Sequence, residues 1–220
     1  MASECFLVGC FLGYDIVLAA IFALVTLALS IFALRVSAIT SERSVKLFGF
    51  GFLLISLSYF AKAFFNFLVL PGLGSSVPTM MKLSFVLSLV YLGAYAHMIL
   101  MLAGLIVLAY MTFNVKDARI LAILLLLGFL PVIISDNPFA VFYLLASLCT
   151  LFIVYYYVKN YFKKRQLLSL MTAVAFILLF LGCIHFFASS MNPLFYVLAN
   201  MLELGAYVLI FINFCLVLRK

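Results

Sequence analysis

The chain has 220 residues, of which 70% are apolar and 9% charged, and a formal net charge of +7. A water-soluble fold of this size has no way to hide so much apolar surface, because much of any soluble exterior is polar. The composition points to a bilayer and leaves no room within these residues for a soluble catalytic domain, so no enzymatic activity is expected.

A helical crossing needs about 20 apolar residues. Seven stretches meet that need: Gly13–Leu34, Lys46–Leu70, Met80–Phe113, Ala118–Ser135, Pro138–Tyr161, Leu167–Ser189 and Pro193–Leu218, numbered here as spans 1 to 7. Runs such as Ile120–Leu130 do not alternate polar and apolar residues as a membrane β-strand must. The expected class is therefore an all-α integral membrane protein, a seven-transmembrane helix bundle forming one domain over residues 1–220.

Span 1 is preceded by Glu4, contains Asp15 and has no basic residue before it. It ends at Arg35 without a small-residue cleavage site, so it is read as a span and not as a cleavable leader. Cys5 and Cys10 stand before it, and whether they pair is left open by their spacing. Cys149, Cys183 and Cys215 fall inside spans, where cysteine behaves as a small apolar residue.

Tyr59, Lys62 and Asn66 share one face of span 2. The stretch from Pro71 to Pro78 reads as a turn. In span 3, Ser84, Ser88, Tyr91 and Tyr95 form a stripe, with His97 about 200° round the helix from Tyr95. Pro131 lies near the end of span 4 and is expected to bend it. Asn137-Pro138 and Asn192-Pro193 read as a cap followed by a first helical residue for spans 5 and 7. In span 7, Tyr196, Asn200, Glu203 and Tyr207 form a stripe with the spacing of span 3.

Basic residues cluster at Arg35–Lys46, Lys116–Arg119, Lys159–Arg165 and Arg219–Lys220. With the amino terminus outside and the carboxyl terminus in the cytoplasm, all of these are cytoplasmic, as the positive-inside rule asks. Leu92-Gly93-Ala94-Tyr95 recurs as Leu204-Gly205-Ala206-Tyr207, and Phe64-Phe65 as Phe186-Phe187. These matches suggest a parallel 3+1+3 repeat, with halves at 13–113 and 138–218 and a connector at 118–135.

The ionisable residues within spans mark the candidate site, since such groups are costly in a membrane. Lys62 lies about 12 Å and Glu203 about 15 Å from the outer ends of their spans, by the helical rise. They are expected to form a pair, or to share a wet pocket with Asn66, Asn200, Tyr91, Tyr95 and Tyr207, with His185 at its mouth. A haem held between His97 and His185 is disfavoured, because the same rise puts the two rings about 22 Å and 7 Å deep. No cofactor or metal is expected. No HExxH, paired intramembrane aspartates or Gly-Xaa-Ser-Xaa-Gly motif is present.

The outline of seven spans with an outside amino terminus and a 3+1+3 duplication resembles SWEET-type sugar transporters and, more loosely, microbial rhodopsins. The resemblance is one of topology. Spans 1, 2, 5 and 6 lack the interior prolines of the former, and span 7 has no lysine before Lys220 to hold retinal as in the latter. Small-solute or ion transport across the cell membrane is the leading expectation. The alternatives are a non-catalytic helical subunit of a larger membrane complex and a ligand sensor acting through a partner. The partners expected are the lipid bilayer and another membrane protein or a second copy of the chain. A nucleic acid is not expected, as no basic face is interleaved with aromatics.

Overall fold

The computed structural model describes residues 2–73, 80–113, 115, 117–189 and 192–218. These fold into α1 (Ala2–Thr40), α2 (Arg43–Leu73), α3 (Met80–Thr112), α4 (Ala118–Ile134), α5 (Pro138–Lys164), α6 (Leu167–Ala188) and α7 (Pro193–Leu218), with no strand among the described residues. Six of the helices are long and apolar enough to cross a membrane. α4 has 17 residues, so at the helical rise it is about 26 Å long, close to the shortest crossing. The protein is an all-helical membrane bundle. Its exterior agrees with that: Val17, Leu24, Phe85, Leu126, Phe152 and Leu194 are all exposed, which suits contact with hydrocarbon.

The helix limits follow from local chemistry. Ser41 and Arg165 adopt left-handed backbone, with φ of 55° and 53°, and each turns the chain after a helix. The amide of Ser41 donates to Ser37 O at 2.8 Å, and that of Arg165 to Tyr161 O at 2.7 Å. Two-residue links, Ser41-Glu42 and Arg165-Gln166, result. Asp117 caps α4 by accepting from the Arg119 amide, and Asn137 caps α5 by accepting from Ala140, with Pro138 at the first helical position. Asn192 accepts from the Leu194 amide at 2.9 Å. Five limits depart from the sequence expectation by three residues or more: both ends of α1 and of α2, and the end of α5. α1 runs on past Arg35 to Thr40 and is helical from Ala2; no proline stands in either stretch, and Gly9 is carried within the helix. α2 runs through Pro71 and Gly72 to Leu73, so the turn begins later; most of the Pro71–Pro78 segment lies outside the described residues. The side chains of Cys5 and Cys10 also lie outside them, whereas Cys149, Cys183 and Cys215 are free thiols.

Each helix packs on the next in sequence, and α1 meets α7, so the helices close into a ring. α3 also touches α5. The α1–α2, α3–α4 and α5–α6 links and the end of α7 share one end of the bundle, called here the basic end; the other links form the far end. From Met101 to Tyr110 every residue of α3 is buried, which explains why this stretch is apolar all round.

Small residues set the spacing. A Cβ on Gly104 would stand 2.6 Å from Ile55 Cγ1 and 2.7 Å from Gly51 O, and one on Gly51 would stand 2.7 Å from Leu108 Cγ. The α2 and α3 backbones therefore touch, as small residues permit in membranes. Serine hydroxyls tie α1 to α2: Ser30 donates to Gly49 O at 2.8 Å and Ser56 to Ala23 O at 2.9 Å. At the basic end, Arg43 donates to Val115 O and to the Tyr110 hydroxyl, which in turn donates to Asp117 O. That chain of bonds fastens the start of α2 to the α3–α4 link.

Candidate functional site

A polar cluster occupies the far half of the ring, built from α1, α2 and α7. Lys62 Nζ lies 3.2 Å from Asp15 Oδ2 and 3.3 Å from Asp15 Oδ1. The Tyr196 hydroxyl donates to Asp15 at 2.5 Å, and Asn66 Nδ2 approaches its second oxygen at 3.5 Å. Asp15 thus gathers donors from two other helices. Among the described residues, Asp15–Lys62 is the one ion pair.

About two turns deeper than Tyr196 along α7 is Glu203. The Tyr59 hydroxyl donates to its Oε1, and the Tyr59 and Tyr207 hydroxyls stand 3.0 Å apart. Because Tyr59 spends its proton on the carboxylate, Tyr207 is left as donor to Tyr59. Tyr59 and Tyr207 are buried. Phe22 lies against both, its ring centroid 5.3 Å from that of Tyr59 and 5.2 Å from that of Tyr207. This aromatic layer is the floor of the cluster. His97 joins it from α3, with Nδ1 3.2 Å from Ser58 O and its ring 5.4 Å from the Tyr59 ring.

Cavities lie on both sides of the layer. At the far end, a pocket of about 390 Å³ is lined by Asn137, Tyr143, Phe186 and Tyr196 among others. Tyr196 joins it to the cluster, since its ring lines the pocket and its hydroxyl reaches Asp15. In the basic half, a cavity of about 270 Å³ is lined by Leu29, Phe32, Phe48, Phe176, Asn213 and Phe214. Asn213 Nδ2 donates to Leu168 O at 3.1 Å and Thr172 Oγ1 at 2.7 Å, while its Oδ1 is buried without a protein partner.

Comparison with protein-family models, curated proteins and solved structures finds no match to this chain. Its function must be argued from the site itself.

The structure places the sequence-derived candidates unevenly. Lys62, Asn66, Glu203 and Tyr207 come together with Asp15, Tyr59 and Tyr196. The Lys62 partner at bonding distance is Asp15, not Glu203, because Asp15 lies well inside α1. Counted from the start of that helix it is about 20 Å along, by the helical rise. Asn200 is buried but donates to Tyr196 O, one turn back on its own helix. The α3 stripe does not face the cluster: Tyr91 is 61% exposed, Ser84 and Ser88 are exposed, and the Ser88 hydroxyl donates to Ser84 O. The reason is Gly93, whose bare face lies on Phe65, a Cβ there standing 2.5 Å from Phe65 Cβ. Tyr91 is two residues away, about 200° round the helix, and so points outward. Tyr95 is partly buried against the core. His185 sits near the far end of α6, its Nδ1 2.7 Å from Leu181 O and its ring 5.7 Å from that of Phe195. Asp15 completes the cluster and was not among the candidates; Tyr59 and Tyr196 lie on the polar faces read from the sequence, and His97, weighed there as a haem ligand, joins from α3. The signal that could have found Asp15 is its place within span 1, where an ionisable residue needs a partner. Among the described residues, no three His, Cys, Asp or Glu side chains are grouped as a metal site requires.

Proposed function

We propose that this protein carries a small solute or ion across the cell membrane, with Asp15, Lys62 and Glu203 as the charged centre of the path. One observation carries the reading: two carboxylates and one ammonium lie within the bundle, between a far-end pocket and a basic-half cavity, with the Phe22, Tyr59 and Tyr207 rings as barrier. Ionisable groups in a membrane interior are expensive, and they commonly mark the path of a transported species. A purely structural role would be served more cheaply by apolar packing, since replacing a buried ion pair by hydrophobic residues is often neutral or stabilising.

Orientation belongs to the same reading. The basic end faces the cytoplasm, where lysines and arginines accumulate and where anionic lipid attracts them. The pairs of helices in contact support a parallel repeat of α1–α3 as α5–α7. Exchanging the halves turns the α1–α2 and α2–α3 contacts into α5–α6 and α6–α7, and α3–α5 into α7–α1. The two-residue links with a left-handed first residue, Ser41 and Arg165, correspond as well. Only α4 stands outside the exchange, as a connector would. The charges do not repeat: Asp15, Lys62 and Glu203 all belong to the α1, α2 and α7 side.

The test is flux into liposomes holding the purified chain, with cationic, anionic and neutral solutes offered in turn. Uptake of at least one class above protein-free vesicles is expected. It should fall tenfold or more in Asp15→Asn and Glu203→Gln variants that keep their helical circular dichroism. Absence of flux for all three classes would overturn the reading.

A further inference from the structure

We propose that the far-end pocket receives a monovalent organic cation, a protonated or quaternary alkylammonium, as the transported solute. The route inward rests on the transport reading above; binding requires only the pocket. Five aromatic side chains line it: Phe139, Tyr143, Phe186, Phe187 and Tyr196. Tyr143 and Phe186 are stacked, 5.1 Å apart and 15° from parallel, and Tyr196 meets Phe186 edge-on at 5.6 Å and 71°. The three rings form a corner. The faces of aromatic rings carry the negative lobe of the ring quadrupole and attract a cation within about 6 Å.

A carboxylate stands behind the rings. Asp15, paired with Lys62, accepts from the hydroxyl of Tyr196, the ring that walls the pocket. Among the described residues, no lysine or arginine lines the pocket. An anion would face ring quadrupoles and, behind Tyr196, the Asp15 carboxylate. A bare metal ion would need several oxygen ligands to replace its water, and the described lining offers few side-chain oxygens and no carboxylate: Asn137, Ser189 and the two tyrosine hydroxyls. An alkylammonium is weakly hydrated and needs no such ligands. The volume, about 390 Å³, falls in the range of small-molecule sites, roughly 300–1,000 Å³.

The test is isothermal titration of the purified full chain with choline and with its uncharged isostere 3,3-dimethylbutan-1-ol, followed by tetraethylammonium. Choline is expected to bind at least tenfold more tightly than the isostere. Tyr143→Leu and Phe186→Leu should each weaken choline about fivefold, the loss of one cation–ring contact. The comparison of the two ligands uses the unaltered protein, so it decides even if the variants fail to fold. Equal affinity for choline and isostere, or no heat with either ammonium at millimolar concentration, overturns the proposal. If neutral or anionic solutes enter liposomes while no ammonium binds, this assignment falls and the transport reading stands. If choline binds but nothing crosses the membrane, the pocket assignment stands and the transport reading falls.

Discussion

Lys62 on α2 and Asp15 on α1 hold each other at 3.2 Å in the far half of the bundle, while the deeper Glu203 takes its hydrogen bond from Tyr59. Opposite charges on neighbouring helices fasten α1 to α2 in their far halves, beyond the serine-to-carbonyl bonds of Ser30 and Ser56. Removing one partner leaves the other uncompensated in a poorly solvated place, which costs more than the pair itself contributes.

The first prediction concerns that pair. Asp15→Asn and Lys62→Met should each lower stability, and the double variant should recover part of the loss. The coupling should be about 1–3 kcal/mol. It sits below the range of a fully buried pair because the side chains remain 24% and 14% exposed. Thermal unfolding in detergent measures it. A coupling for Lys62→Met with Glu203→Gln that equals or exceeds the Asp15 value would contradict the geometry.

Tyrosine substitutions should rank by what each hydroxyl does. Tyr59→Phe strips a donor from a buried carboxylate and should cost about 1–2 kcal/mol. Tyr207→Phe removes only the support of Tyr59 and should cost less. Tyr91→Phe, at an exposed site, should stay within about 0.5 kcal/mol. The same unfolding measurement checks the order, and a Tyr91 effect larger than that of Tyr59 would refute it.

Two glycines offer a paired test of packing. Gly104→Ala would drive a methyl against Ile55 and the Gly51 carbonyl, and should destabilise by about 1–3 kcal/mol. At Gly205 the nearest atom to an added Cβ is 3.7 Å away, ordinary contact. There alanine should be neutral or stabilising by up to about 1 kcal/mol, from helix propensity. Equal effects at both sites would show that the α2–α3 approach is not as close as described.

Orientation can be read by labelling. In a background with the five native cysteines replaced by alanine, Ser41→Cys and Arg165→Cys should react with an impermeant maleimide only after the cytoplasmic face is opened. Asp136→Cys should react from outside intact cells. All three positions are exposed at helix links. The reverse pattern would invert the proposed topology without altering the bundle.

Helix existence and most helix limits were legible from the residues alone. The starts of α4 to α7, at Ala118, Pro138, Leu167 and Pro193, coincide with the sequence expectation, because proline, asparagine and basic residues act on the backbone next to them. The errors lay at α1 and α2, which overran at both ends, and at the end of α5. Nothing local stopped α1 or α2, and a proline in the last turn of α2 need not end it.

The site divides in the same way. That Lys62 and Glu203 need partners follows from their chemistry in a membrane, whatever the fold, and their shared faces with Asn66 and Tyr207 follow from helical periodicity. Which partner each one takes is a matter of helix rotation and lateral order, and no period in a single helix records either. Gly93 seated on Phe65 turns Tyr91 outward, and the closure of α1 against α7 brings Asp15 to Tyr196 across 181 residues of chain. Such contacts depend on how seven apolar cylinders settle against one another, and an apolar surface offers few directional cues until backbones meet.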